Sequence, residues 1–234
     1  MFKYTAVIIE PRRHKALEFV LKNALTNLND DWKILLFHGT ENIQYSHAIQ
    51  ERLNTSRLFL HQLDVDNLNQ VTYSELLAAK PIIYDHIDTE YFLIFQTDSM
   101  IFSEHKNLIY DFINLGVDYV GAPWLICNYH PTKVRGFIGN GGMSLRKTAT
   151  MKAIVEKHVW NPNHEWHEDL FFTKPYPDVP CVKPPYEMAK TFCVDEIFSP
   201  ISFGTHRSWC HKHFQELVRL HPELQTLKDL QGTE

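Results

Sequence analysis

The chain has 234 residues, a formal net charge of −5, 44% hydrophobic residues and 22% charged residues. These are the proportions of an ordinary folded protein, long enough to bury the core of one large α/β domain, and they exclude disordered and fibrous classes. A pI near 6.3 leaves no basic field for nucleic acid or an anionic membrane.

The opening run Thr5 to Glu10 is apolar and β-rich and ends at Pro11, whose fixed φ suits the first turn of a helix, so a strand-to-helix turn is expected there. The run is too short to span a bilayer and no small-residue cleavage site follows it. The expectation is a soluble, cytoplasmic protein without signal peptide or membrane span. Leu17, Val20, Leu21, Ala24, Leu25 and Leu28 then recur at three- and four-residue steps as a helical stripe that stops at Asn29-Asp30-Asp31. Lys33 to His38 reads as a buried strand closed by Gly39, a polar helix covers about 42 to 54, and a third strand lies around Arg57 to Leu63. Thr72 with Glu75 three residues on forms a capping-box pattern, which predicts a helix starting near Tyr73, split or kinked at Pro81. Tyr91 to Phe95 is the most apolar strand, and it delivers Gln96-Thr97-Asp98-Ser99 at its end, where ligands sit in open α/β sheets.

To about residue 100 the alternation of strands and helices predicts a parallel sheet with crossover helices. Beyond it, Asp118 to Trp124 reads as a short strand and turn. Gly139 to Leu145 reads as a glycine-rich loop entering a strand, Lys147 to His158 as a helix, and Lys212 to Leu220 as the final helix. Prolines 175, 177, 180, 184 and 185 predict an extended surface segment. Cys127, Cys181, Cys193 and Cys210 match neither zinc nor redox spacing and read as scattered reduced thiols. Among the 14 histidines, His38, His61, His86, His158 and His164 show no i, i+4 ligand pattern around an acid.

Four stretches could carry chemistry, and each has two readings. Asp98 at a strand end either binds a divalent metal that bridges a diphosphate or caps the next loop. Gly139-Asn140-Gly141-Gly142 either lets a ligand approach the backbone or makes a tight turn. Trp166 to Phe172, with Glu168 and Asp169 between apolar residues, either supplies a carboxylate whose pKa burial has raised, fit for a general base, or favours a helix N-terminus through the macrodipole. Phe203 to Arg207 presents His206 as a ligand or a cap.

The order of these blocks over most of the chain resembles the GT-A glycosyltransferases. It resembles in particular a GT-A-like family described only as a domain of unknown function, with Gln96 to Asp98, Asp118 to Trp124, Gly139 to Arg146 and Glu168 to Phe172 as the matching blocks. The later blocks are also similar to the β-1,3-galactosyltransferase and Fringe group. The resemblance implies one GT-A (Rossmann-like) α/β domain over 1–234 with a mixed, mainly parallel central sheet. Residues 1–100 would form its nucleotide-binding half and 101–234 its acceptor-binding half. It implies a nucleotide-sugar donor, a glycan, protein or small-molecule acceptor, and Mn²⁺ or Mg²⁺ held by Asp98 and His206. Gln96, standing where the first acid of Asp-x-Asp belongs, is a departure that bears on that metal. Glu10, Arg12, Gln96, Thr97, Asp98, Trp124, Gly141 and Gly142 would bind the donor. Asp169 would be the general base of an inverting transfer, with Glu168 orienting sugar or base. Two rival functions remain on the same residues: a non-catalytic nucleotide- or carbohydrate-binding module, and a nucleotidyltransferase, for which Pro11-Arg12-Arg13 supplies charge without the expected glycines.

Overall fold

The computed structural model describes residues 1–126, 137–163, 165 and 167–232; Cys127, His164 and Trp166 lie outside the described residues. The first half runs β1 (Tyr4–Ile9), α1 (Leu17–Asn27), β2 (Trp32–His38), α2 (Ile43–Leu53), β3 (Leu58–Gln62), α3 (Gln70–Ala78), β4 (Tyr91–Ile94) and β5 (Ser99–Ile101). The second half runs α4 (Leu108–Leu115), β6 (Tyr119–Gly121), β7 (Ser144–Lys147), α5 (Thr148–Lys157), α6 (Glu168–Thr173), α7 (Tyr186–Ala189), β8 (Cys193–Val194), β9 (Gly204–His206), α8 (Phe214–Leu220) and α9 (Glu223–Asp229).

Six strands form the central sheet in the order β3-β2-β1-β4-β7-β6. The first four are mutually parallel, while β7 runs antiparallel to both β4 and β6, so the sheet is mixed and mainly parallel. Continuous apolar strands suit this sheet because both of its faces are covered. Ala6, Ile8, Ile34, Leu36 and Leu93 turn into one core with the Leu17, Val20, Leu21 and Ala24 stripe of α1. Val7, Ile9, Leu35, Phe37, Phe92 and Ile94 turn into the other with Leu76, Leu77 and Phe171. From β1 the chain builds outward through β2 and β3, then returns to the opposite side of β1 as β4. That reversal opens a crevice at the carboxyl ends of β1 and β4, where Glu10 to Arg12 and Gln96 to Asp98 emerge.

A second sheet, β5-β9-β8, was not anticipated, because two- and three-residue strands carry no periodic signal. Its register sets Ser99 opposite His206, which brings His206 beside the β4 tip from more than a hundred residues away.

Several local expectations are corrected. Helix α3 starts at Gln70, because Asn69 is the N-cap and Thr72 the third helical residue. The Asn69 side chain accepts from the Thr72 amide at 3.0 Å, and the Thr72 hydroxyl accepts from the Asn69 amide at 2.9 Å. A threonine hydroxyl thus does what the capping box assigns to Glu or Gln. Pro81 does not kink this helix; it opens a separate 3₁₀ turn, Pro81–His86. The helix expected to be final begins at Phe214, and α9 follows it with Pro222 at its N-cap. The proline-rich segment is irregular but not merely superficial, since Tyr176 and Val179 are buried. The Val182 carbonyl accepts the amides of Asp118 and Tyr119 at 2.7 and 3.3 Å, which covers the β6 edge of the sheet. Among the described residues no helix is long and apolar enough to cross a membrane.

Candidate active site

A cavity of about 720 Å³ opens at the carboxyl edge of the sheet, lined by Gln96, Asp98, Trp124, Gly141, Gly142, Glu168, Asp169 and His206. A smaller one of about 160 Å³ shares Gln96 and Asp98 with it and adds Glu10, Arg12 and Thr97. Every residue to which the resemblance gives a donor, metal or catalytic role therefore lines one of two adjoining cavities.

Asp98 leaves the tip of β4 with its Oδ1 buried and without a hydrogen bond, 3.4 Å from His206 Nε2. The other nitrogen of that ring, Nδ1, lies 3.7 Å from Asp195 Oδ2. Burial alone would lower the His206 pKa, but Asp98 and Asp195 outweigh it and push it up to about 9. Asp195 also accepts from Asn140 Nδ2 at 2.6 Å and pairs with His211 Nε2 at 2.8 Å. Burial pushes this carboxyl up, while His206 and His211 more than offset that and hold it below its ordinary value.

The glycines are required by space here and not by backbone sign. Gly116 and Gly232 are the positive-φ glycines among the described residues, so the 139–142 cluster has no such need. A Cβ on Gly142 would strike the His206 imidazole. One on Gly141 would strike the Glu168 carboxylate and come within 3.0 Å of the Asp169 Cβ. The loop is clamped by its own bonds: the Gly142 amide donates to Asn140 Oδ1 at 3.0 Å, and the Gly142 carbonyl accepts from Ser99 Oγ at 3.2 Å.

At the start of α6 the two acids have different surroundings. Glu168 forms a two-pronged ion pair with Arg146 of β7, at 2.9 and 3.0 Å, and the Arg146 side chain is fully buried. Asp169 accepts from the Gly141 amide at 3.2 Å and from the Leu170 amide at 2.7 Å. Burial, reinforced by the neighbouring Glu168 charge and opposed by Arg146, pushes the Asp169 carboxyl up to about 8.

In the smaller cavity Glu10 is buried and held by Arg12, whose Nε and Nη2 each donate at 2.8 Å. Asn42 fastens this turn by donating to the Glu10 and Arg12 carbonyls, both at 2.9 Å. The Thr97 carbonyl accepts from Gln231 near the C-terminus at 3.0 Å. Trp124 stacks on Phe137, with ring centroids 5.8 Å apart.

Toward a divalent cation the residues fit in part. A buried carboxylate oxygen with no hydrogen bond faces one imidazole nitrogen, while the other, Nδ1, lies 3.7 Å from a second carboxylate and makes no hydrogen bond among the described residues. Among the described residues no group of three or more His, Cys, Asp or Glu side chains is arranged to hold a metal. Most of the coordination would therefore have to come from a ligand.

Sequence reasoning missed Asp195 and His211, and gave no roles to Asn140 and Arg146 of the glycine-rich block or to Arg207 of the His206 stretch. Asp195 follows an apolar strand as Asp98 does, but β8 is two residues long and gave no strand signal. Arg207 has a left-handed backbone, φ 49°, uncommon outside glycine, and its amide donates to the Asp98 carbonyl at 2.9 Å.

The parallel sheet with its switch point, extended by an antiparallel β7, is the GT-A (Rossmann-like) fold class. Residues 54–206 match the family described as protein of unknown function (DUF5672), and the chain belongs to that family. No curated protein matches it by sequence. Among solved structures it is similar to S. aureus TarS 1-349, with TM-score 0.51 and 14% identity over 72% of this chain and 54% of that one. For S. aureus TarS 1-349 in complex with UDP the values are 0.51 and 15%, over 73% and 54%. The chain thus spans about half the length of these structures, and at such identities the likeness concerns the fold.

Proposed function

We propose that the protein transfers a sugar from a nucleotide-sugar donor to an acceptor hydroxyl, with Asp169 as the general base. The observation that carries this reading is the placement of Asp169: its carboxylate lines the large cavity, is held by the Gly141 and Leu170 amides, and among the described residues pairs with no cation, surroundings that push the carboxyl up to about 8. An ordinary carboxylate is a weak base near neutrality, whereas one raised to this range is matched to deprotonating a hydroxyl. Direct attack of that hydroxyl on the anomeric carbon inverts its configuration.

The cavity beside Glu10 and Arg12 would take the nucleoside, next to Asp98 and His206 at the diphosphate. TarS, which shares the fold, is solved with UDP, so a uridine nucleotide is the first donor to test. Asp98 and His206 would hold one Mn²⁺ or Mg²⁺ together with phosphate oxygens, and the ion would neutralise charge on the departing diphosphate. Gln96, in the position of a first acid, would offer hydrogen bonds in place of a second charge. Gly141 and Gly142 would let the donor sugar approach the backbone, Trp124 would wall the donor pocket, and the acceptor would be a glycan, protein or small molecule.

Asp169→Asn keeps size and most hydrogen bonding while removing the proton acceptor. Donor affinity by calorimetry is expected within a few-fold of wild type, with transfer lower by roughly 10²–10⁴. Transfer at the wild-type rate would remove Asp169 from the mechanism. A wild-type protein that binds donor but neither transfers nor hydrolyses it across a broad acceptor panel would be the non-catalytic binding module instead.

A further inference from the structure

The adjacent acids at the start of α6 are not equivalent, and the difference traces to one side chain on the sheet. Arg146 is fully buried on β7, and its guanidinium has a defined set of neighbours. Both terminal nitrogens donate to the Glu168 carboxylate, Nε donates to Ser144 Oγ at 2.9 Å, and the group lies 5.1 Å from the Tyr119 ring centre and 5.2 Å from that of Phe172. A buried guanidinium is tolerable only when its charge is compensated, and Glu168 supplies that charge with both oxygens. The Glu168 amide in turn donates to Ser74 Oγ on α3 at 3.1 Å.

Asp169, one residue on, makes no such pair. Its carboxylate takes backbone amides from Gly141 and Leu170, and among the described residues no Lys, Arg or His is paired with it. The charged and titratable groups facing it are Glu168 beside it, Arg146 from β7 and Tyr119 from β6, while His167, Tyr73 of α3 and Tyr84 of the 3₁₀ turn face Glu168. Gly141 sits at the junction, where a Cβ would meet Glu168, Asp169 and Arg146 together.

We propose that Arg146 is a positioning residue for Asp169, acting through Glu168: the ion pair anchors the first turn of α6 against the Gly141 loop and commits the Arg146 charge to Glu168, so that among the described residues Asp169 has no cation paired with it. Glu168, which also lines the cavity, then acts on the base through its own pairing with Arg146. This rests on Asp169 being the base, and it adds that the base is kept uncompensated by a neighbour that absorbs the buried positive charge.

The test is a carboxyl ¹³C NMR titration of the full chain labelled at Asp, which requires no substrate. Glu168→Gln removes a like charge and releases Arg146 toward Asp169, so the Asp169 midpoint is expected to fall by about 1–3 pH units, the usual effect of an opposite charge at this range. The double variant Arg146→Met, Glu168→Gln removes both charges and avoids an unpaired buried guanidinium; its midpoint is expected between those of wild type and Glu168→Gln. An unmoved midpoint in Glu168→Gln overturns the proposal. If that variant does not fold, the double variant decides, and a wild-type midpoint there overturns it equally. An Asp169 that responds as expected in a protein with no transferase activity would refute the reaction and leave the positioning role standing. An active enzyme whose Asp169 ignores both variants would do the reverse.

Discussion

Gly142→Ala adds a single methyl group, and the structure indicates where it would go. The new Cβ would overlap the Nε2, Cδ2 and Cε1 atoms of the His206 ring. That ring is buried between Asp98 on one side and Asp195 on the other, so its retreat from the methyl would disturb both contacts. The glycine backbone is equally constrained, through its amide to Asn140 and its carbonyl to Ser99. Forcing a methyl into such a site costs about 1–3 kcal/mol. Alanine's lower unfolded-state entropy returns about 0.4–1 kcal/mol. The expected outcome is a net destabilisation of up to about 2.6 kcal/mol, centred on about 1.3 kcal/mol, read by chemical denaturation, together with a loss of donor affinity read by calorimetry, because the Asp98–His206 spacing must change. Gly116→Ala is the contrasting control: nothing lies within 4 Å of its added Cβ, but its φ of 73° strains any side chain. It is expected to lower stability and leave donor affinity alone. Wild-type stability and affinity in Gly142→Ala would refute the claim that packing against His206 demands this glycine.

If Asp98 and His206 hold a divalent ion with the donor, chelator is expected to weaken nucleotide-sugar binding sharply and Asp98→Ala to reproduce the loss; equal binding in chelator and Mn²⁺ would exclude a metal at this site. The pH dependences of activity and stability are expected to oppose one another. Because Asp169 must be ionised to act as a base, transfer should rise with pH up to about 8 and then level. Burial and the Glu168 charge push its carboxyl up from the ordinary value of 3.8 to about 8 in the folded state, so between these values the native state binds more protons and stability falls as pH rises. Asp169→Asn should flatten that part of the stability curve, and denaturation midpoints measured from pH 4 to 8 that keep the wild-type slope would contradict the raised pKa.

Much of the scaffold was legible without coordinates. The runs that became β1, β2 and β4 are largely apolar, with Thr5 in β1 and Lys33 and His38 in β2 as the exceptions, as suits strands buried on both faces, and the α1 stripe recurs at helical steps, so each carried a signal. The polar tip Gln96-Thr97-Asp98 stood out because a charged residue directly after a buried strand has nowhere to go but the sheet edge. The glycine-rich block and the Glu168-Asp169 pair were visible as unusual compositions, though not the reasons for them. Those reasons are contacts between residues far apart in the chain. Only tertiary structure showed that Gly142 is a glycine because of His206, and that Glu168 answers to Arg146 while Asp169 does not. Only it showed that Asp195, directly after a two-residue strand, accepts from Asn140 and lies beside His206. Sequence periodicity reports which face of an element is buried. It carries no record of which buried charge meets which, because that is decided by how the sheet register and the crossover helices bring distant residues within a few ångströms, where burial strengthens every interaction between them.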